Sequence, residues 1–254
     1  MTEQWRLLKT GDHTAAMNMA IDRAILVANS EGEVPPTVRF YGWQPPAISI
    51  GYFQSLTEEV DLDHCQKYGV EYVRRITGGG AVFHEKELTY SIVIPESHPQ
   101  IPKNIMESYG RICGALVKGL SHLEIASTYM PINDIVSGGK KISGNAQTRK
   151  AKTVLQHGTI ILDVDVDKMF SLLRVPNEKI KDKMIADVKQ RVTSLRHLLG
   201  SEPPFEKTAQ AMKRGFEEEF SIKLVEGSLL QEEISLAKKF EKDCFSAREW
   251  NHRR

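Results

Sequence analysis

Two patterns of apolar residues alternate along the chain, one with helical spacing and one with strand spacing, and their order predicts the architecture. After Thr14, the residues Met17, Ile21, Ala24 and Ile25 recur at helical spacing, predicting a helix capped by Thr14 that runs to about Ala28. Glu31-Gly32 and Pro35-Pro36 then break it. From Thr37 the period shortens: Val38 and Phe40 alternate with polar neighbours, and after Trp43-Gln44-Pro45-Pro46 the segment Ala47 to Phe53 reads as a second strand. Asp61 to Tyr68 predicts a short helix closed by Gly69, and Val70 to Arg75 returns to strand. Gly80 to His84 and Leu88 to Ile94 form two more strands around a charged turn. Ile105, Tyr109, Ile112 and Leu116 mark a long amphipathic helix, for which Pro102 supplies a start signal. A second β-rich stretch holds Asn133 to Ser137, the hairpin turn Gly138-Gly139, Lys140 to Gln147, and Thr153 to Asp163. The remainder turns helical and charged, with an apolar stripe of Phe205, Ala209, Met212, Phe216 and Phe220 and another amphipathic helix over Gln231 to Phe245.

Strands gathered in hairpins, with helices between the clusters, predict an α+β fold whose mixed or antiparallel sheets are flanked by helices. A doubly wound βαβ fold does not fit. With 254 residues the expectation is a single enzyme-sized domain spanning 1–254, its helical, charged part beginning at about residue 205.

Charge narrows the partners. Lys and Arg total 34 against 33 Asp and Glu, so a formal charge of +1 sets up no global field that draws the protein to nucleic acid or an anionic membrane. No apolar leader or membrane span stands at the amino terminus, which makes the cytoplasm the expected location. Cys65, Cys113 and Cys244 are odd in number and show no C-x-x-C spacing, which argues against a disulfide framework or a cysteine zinc site.

The segment with most chemical content is Arg74-Arg75-Ile76-Thr77-Gly78-Gly79-Gly80-Ala81-Val82-Phe83-His84. Bare glycine N–H groups can form an anion-binding nest, and two guanidinium groups before them add bidentate donors. By spacing alone, a glycine-rich bend with two solvated arginines fits as well, and neither the dinucleotide-binding nor the P-loop pattern is matched.

The same segment resembles the R-R-x-[ST]-G-G-G-A-V-[FY]-H signature of the lipoate-protein ligase A family. So do Asn133-Asp134-Ile135, Lys140-Lys141-Ile142-Ser143-Gly144-Asn145-Ala146 and Gln156-His157-Gly158-Thr159-Ile160-Ile161-Leu162, in that order. Asn18-Met19-Ala20-Ile21-Asp22 and Arg191-Val192-Thr193 match more weakly, and the likeness covers roughly residues 5 to 200. The resemblance implies a catalytic domain like those of biotin protein ligases and class II aminoacyl-tRNA synthetases. It implies a two-step reaction, in which lipoate and Mg-ATP give lipoyl-AMP and a lysine of an acceptor domain then displaces AMP. That acceptor would be a 2-oxoacid dehydrogenase E2, a glycine cleavage H protein or a similar protein. Lys141 falls on the family's catalytic lysine. Because successive strand residues face opposite ways, Lys140 is then a surface lysine. By the same likeness Arg75, Thr77, Gly78, Gly79, Gly80, Val82, His84 and Thr159 surround the acyl-adenylate, and Asn133 and Asp134 lie near phosphate. Asp134 would hold Mg2+, and His157 would line the acyl pocket. The family usually has Asp where Glu85 stands, so Glu85 receives no role. Tyr41 and Trp43 are candidates for the wall of the acyl pocket, although aromatic residues in strands are more often plain core.

Two alternatives stand beside the ligase. An octanoyltransferase of the same fold moves octanoyl from acyl carrier protein to the acceptor through an enzyme thioester, without ATP, and needs an exposed, activated cysteine. None is evident: all three cysteines fall in predicted helices, and Ser127-Thr128-Tyr129-Met130-Pro131-Ile132 stands where one transferase branch carries its thiol. A non-catalytic acyl-binding paralogue is the other alternative. The familiar single-chain ligases continue into an accessory domain, so the short form implies either a separate accessory protein or an enzyme that works without one.

Overall fold

The computed structural model describes residues 2–175 and 178–254. In chain order the strands are β1 (Gln4–His13), β2 (Thr37–Trp43), β3 (Ala47–Ile50), β4 (Glu71–Arg74), β5 (Val82–His84), β6 (Glu87–Pro95), β7 (Thr128–Met130), β8 (Asp134–Ser137), β9 (Lys140–Lys150), β10 (Thr153–Ile161) and β11 (Lys223–Glu226). The helices are α1 (Ala15–Ser30), α2 (Leu56–Glu59), α3 (Leu62–Tyr68), α4 (Ile105–Ser121), α5 (Val166–Leu172), α6 (Glu178–Arg191), α7 (Leu195–Leu199), α8 (Phe205–Phe220), α9 (Gln231–Phe240) and α10 (Arg248–Asn251), with a π turn at Glu241–Phe245.

Eight strands make one mixed sheet in the order β11-β1-β2-β6-β10-β9-β8-β7, and a small second sheet has the order β4-β3-β5. This is the expected α+β class. β2 departs from expectation. Its alternation predicts a wet face, yet all seven residues are buried, because helices cover both sides of the sheet. Val38 and Phe40 enter one core with Leu116 and Phe216. Tyr41 and Trp43 enter the other with Met19, Ile21 and Ile25 of α1. Arg39 is tolerated there because its guanidinium donates to Asp22 Oδ1 (2.8 Å), Asn18 Oδ1 (2.6 Å) and the Asn18 carbonyl (3.1 Å).

Caps explain several boundaries. Thr14 Oγ1 accepts from the Met17 N–H (3.2 Å), and α1 continues to Ser30, two residues past the expected end. Asp61 caps α3, and Gly69 closes it at φ +63°. α4 starts under Asn104, whose side chain accepts from Met106 and Glu107, so the cap lies beyond Pro102. β3 stops at Ile50 short of Phe53, because the chain turns there toward the glycine loop and the Tyr52 N–H donates to the Thr77 carbonyl (2.8 Å). A Cβ on Gly51 would lie 1.9 Å from the Gly79 carbonyl oxygen, so glycine is what lets these two backbones meet.

The region from residue 205 is built into the body. α8 lays Met212, Phe216 and Phe220 into the first core, β11 pairs parallel to β1 at the sheet edge, and α9 with the π turn covers α1. No described helix is long and apolar enough to cross a membrane.

Candidate active site

The two sheets enclose a cavity of about 150 Å³ where the glycine loop of the small sheet faces β9 and β10 of the large one. Arg75, Gly79, Gly80, Val82, His84, Asn133, Lys141, His157 and Thr159 all line it, together with Tyr41, Trp43 and Ser49. Thr77, Gly78 and Asp134, expected in the same set, do not line it. A larger open groove of about 790 Å³ between α1, α3, β4 and the carboxy-terminal segment contains none of the expected residues.

Register on β9 separates its two lysines. Lys141 faces the cavity and its Nζ lies 2.7 Å from Asp134 Oδ1, whereas Lys140 lines a separate polar groove with Asp163 and Asp165. Both partners of the Lys141–Asp134 pair are more than a third exposed, so the pair is weak and an incoming anion can replace Asp134. A Cβ on Gly144 would meet Lys141 Nζ at 2.9 Å, so the glycine clears the path over which the lysine lies.

The arginines differ from expectation. Arg75 donates to the Ser49 carbonyl (2.8 Å), Ser49 Oγ (2.7 Å), Gly78 carbonyl (3.0 Å) and Gly80 carbonyl (2.9 Å). Burial pushes its pKa down to about 10, which leaves it cationic near neutrality. Its fork therefore shapes the glycine loop and is not free for a carboxylate or phosphate. Arg74 is fully buried and donates to the carbonyls of Gly51, Tyr52, Gln54, Trp250 and Asn251. A guanidinium ringed by carbonyls is structural; the pair is not solvated and does not form the expected cradle. Among the described residues no backbone carbonyl accepts from the N–H groups of Gly78, Gly79 or Gly80, which leaves those donors for an anion.

Two histidines line the cavity, each between a hydroxyl and a carboxylate. His157 Nε2 is 2.7 Å from Thr77 Oγ1, and its Nδ1 is 3.3 Å from Asp22 Oδ2. Burial outweighs Asp22 and holds the His157 pKa below its ordinary value. Burial acts to raise the Asp22 pKa, but Arg39 and His157 prevail and hold it low. His84 Nε2 is 2.6 Å from Ser49 Oγ, its Nδ1 is 2.6 Å from Glu87 Oε1, and its ring stacks on Trp43 at 4.0 Å. Ser49, Glu87 and Asp22 were not expected by these roles: only their convergence in space reveals them. Asn133 and Asn145 exchange side-chain-to-carbonyl bonds at 2.7 and 2.9 Å and tie β9 to the turn before β8. Glu85 pairs with Lys168, away from the cavity.

The donor set offers neither a preformed all-protein metal cage among the described residues nor a pocket thiol. Asp134 is engaged by an ammonium, and the described residues contain no group of three or more His, Cys, Asp or Glu that could hold a metal ion. None of the cysteines lines the cavity. Burial pushes the Cys65 thiol up to about 11 and that of Cys113 to about 12, and it raises Cys244 as well.

Comparison with known proteins places this geometry. Residues 14–217 match the family model described as the lipoyl protein ligase A/B catalytic domain. Octanoyltransferase LipM of Brevibacillus brevis is 38% identical over 99% of this chain and 100% of its own length. Octanoyltransferase LipM of Bacillus subtilis is 34% identical over 99% of each. Among solved structures, a bi-partite lipoate protein ligase of Thermoplasma acidophilum, studied with its E2 lipoyl domain, superposes with a TM-score of 0.90 at 31% identity, covering 98% of this chain and 96% of its own. The names of the curated relatives overturn the expectation of an ATP-dependent, AMP-forming lipoate ligase as the principal activity and agree with the octanoyltransferase alternative. What fold, motifs and comparisons show together is an enzyme of protein lipoylation: the chain belongs to the family of lipoyl protein ligase A/B catalytic domains.

Proposed function

We propose that the protein transfers an octanoyl group from a carrier-protein thioester to a lysine of a lipoyl acceptor domain. The observation that carries this reading is the full-length likeness to octanoyltransferases, at 38% identity for the Brevibacillus brevis protein. The cavity suits such a substrate: Tyr41, Trp43 and Met19 offer an apolar wall, and Lys141 stands at its polar end. Attack on a thioester carbonyl places negative charge on its oxygen. Lys141 and the unpaired loop N–H groups are the groups that would stabilise it. The donor is already activated, so this chemistry requires neither ATP nor Mg2+, nor an accessory subunit to close over a nucleotide.

The test is direct. Purified protein incubated with octanoyl-carrier protein and an apo lipoyl domain, without ATP, should yield an acceptor heavier by one octanoyl group. Acylation that appears only with free acid plus Mg-ATP would defeat the proposal. A protein inert under both conditions would instead be a non-catalytic paralogue.

A further inference from the structure

An acyl group that passes through a transferase is either handed over directly or parked on the enzyme. The usual parking place, a thiol, is missing from this cavity, since all three cysteines lie elsewhere. A hydroxyl is present. Ser49 Oγ, His84 Nε2, His84 Nδ1 and Glu87 Oε1 form a chain with two links of 2.6 Å, and both Ser49 and His84 line the cavity.

The proton pattern along that chain is determined by its ends. A carboxylate only accepts, so Glu87 takes the Nδ1–H of His84, and it also accepts from the Thr89 hydroxyl. Thr89 in turn accepts from Trp43 Nε1–H at 2.8 Å. With Nδ1 protonated, Nε2 of neutral His84 is the acceptor and Ser49 the donor. One Ser49 lone pair is held by Arg75 Nη1–H at 2.7 Å, which leaves the other lone pair unassigned. The Arg75 cation stabilises negative charge developing on Oγ. Hydroxyl, base and orienting acid are thus arranged as a nucleophile triad.

The second histidine shows by contrast what this requires. Thr77, His157 and Asp22 have the same order, yet Thr77 does not line the cavity and Asp22 is already satisfied by Arg39, Tyr41 and Ser91. That set holds the core together, whereas the Ser49 set opens onto the acyl pocket.

We propose that Ser49 is the acyl-accepting nucleophile of this protein, with His84 as its general base and Glu87 as the residue that positions His84. The inference rests on the transferase reading above. Ser49 Oγ attacks the octanoyl carbonyl carbon while its proton passes to His84 Nε2. The C–S bond breaks, and the carrier thiolate leaves with that proton. The octanoyl oxygen ester on Ser49 is then attacked by the acceptor lysine amine, which loses a proton to His84. The C–O bond breaks, Ser49 recovers the proton, and an amide remains on the acceptor. Solvent scarcely reaches Ser49, which is 0% exposed, so the ester is protected from hydrolysis until the acceptor arrives.

The experiment traps the acyl-enzyme. Whole protein is mixed with octanoyl-carrier protein and no acceptor, quenched in acid, and mapped by peptide mass spectrometry with hydroxylamine treatment at neutral and alkaline pH. The expected result is one octanoyl group on the Ser49 peptide, stable to neutral hydroxylamine and released by alkaline hydroxylamine, as an oxygen ester is. Ser49→Ala should abolish the adduct and slow transfer at least about a hundredfold. Ser49→Cys should restore an adduct that neutral hydroxylamine now releases, which guards against a folding failure of the alanine variant. Glu87→Gln should keep the adduct but form it more slowly, lowering kcat while KM for the octanoyl donor stays near normal. An adduct on any cysteine or on Lys141 overturns the inference, and so does efficient transfer with no adduct at all. Absence of transfer from the carrier thioester would remove the underlying transferase reading, a result distinct from transfer without Ser49.

Discussion

Lys140 and Lys141 are chain neighbours with opposite surroundings, and the difference has a measurable consequence. Of the two, only Lys141 lines the cavity, and its Nζ lies 2.7 Å from Asp134 just outside the lining. Removing a cation from the place where an oxyanion develops costs on the order of 10²–10³ in kcat. We therefore predict such a loss for Lys141→Ala and near-normal kcat for Lys140→Ala; equal losses in steady-state assays would refute the assignment. His157 gives a second prediction at this scale. Its pKa in the folded protein lies below the ordinary 6.5, chiefly through burial, so the unfolded chain binds the proton more readily. The stability it contributes is full above about pH 6.5 and is lost as pH falls through the folded value. His13, also depressed mainly by burial, acts with the same sign. Melting temperatures measured from pH 8 to pH 5 should be level at first and then fall, and His157→Gln should shallow the fall. An unchanged slope in that variant would show that His157 is protonated on folding or is not buried.

Between elements, α4 and α8 approach so closely that side chains must be missing. A Cβ on Gly215 would stand 2.1 Å from the Ala115 carbonyl oxygen and 2.4 Å from the Gly119 nitrogen. Those atoms are backbone and cannot swing aside, so Gly215→Ala should destabilise by at least about 1–3 kcal/mol in urea unfolding, despite alanine's better helix propensity. A neutral or stabilised variant would contradict this packing. The same close approach shows what was readable in the chain. The stripe Phe205, Ala209, Met212, Phe216 and Phe220 announces α8, and Thr14 and Gly69 announce helix ends, because these signals are local. β1 and β11 were not foreseen: Gln4 to Leu7 pairs with Lys223 to Glu226, more than 200 residues away, and neither stretch alternates cleanly. In the site, contiguous motifs placed Lys141, His84 and His157 at one cavity in advance, whereas Ser49, Glu87 and Asp22 gain their partners only through folding. The direction of Arg75 was also hidden, since a guanidinium ahead of a glycine loop can serve a ligand or the loop itself. Here its four bonds go to the loop and to Ser49.

Across the whole molecule, the carboxy-terminal segment is joined to the site through Arg74. Trp250 and Asn251 supply two of its five carbonyl acceptors, the Asn251 side chain accepts from the Arg74 N–H at 2.8 Å, and Trp250 Nε1 donates to the Arg74 carbonyl at 2.9 Å. Arg74 precedes Arg75, whose guanidinium holds the glycine loop, so α10 stands two residues of backbone and one side chain away from the cavity. A chain ending at Ser246 keeps α9, the buried Arg6–Glu233 pair and Phe245, and loses this clamp together with the packing of Trp250 on Phe245 and Tyr52. Hydrogen bonds to a charged group contribute about 1.5–3 kcal/mol each when buried, but water entering the vacated space replaces part of them, so a net loss of about 2–3 kcal/mol is expected. The shortened protein should therefore fold with a lower melting temperature. Its larger defect should be in acyl binding, because the glycine loop would be free to move: KM for the octanoyl donor should rise severalfold while kcat changes less. Restoring the tail as a separate peptide spanning residues 247–254 should recover part of the lost affinity. A truncated protein with unchanged melting temperature and KM would show that Arg74 holds the loop without help from the carboxy terminus.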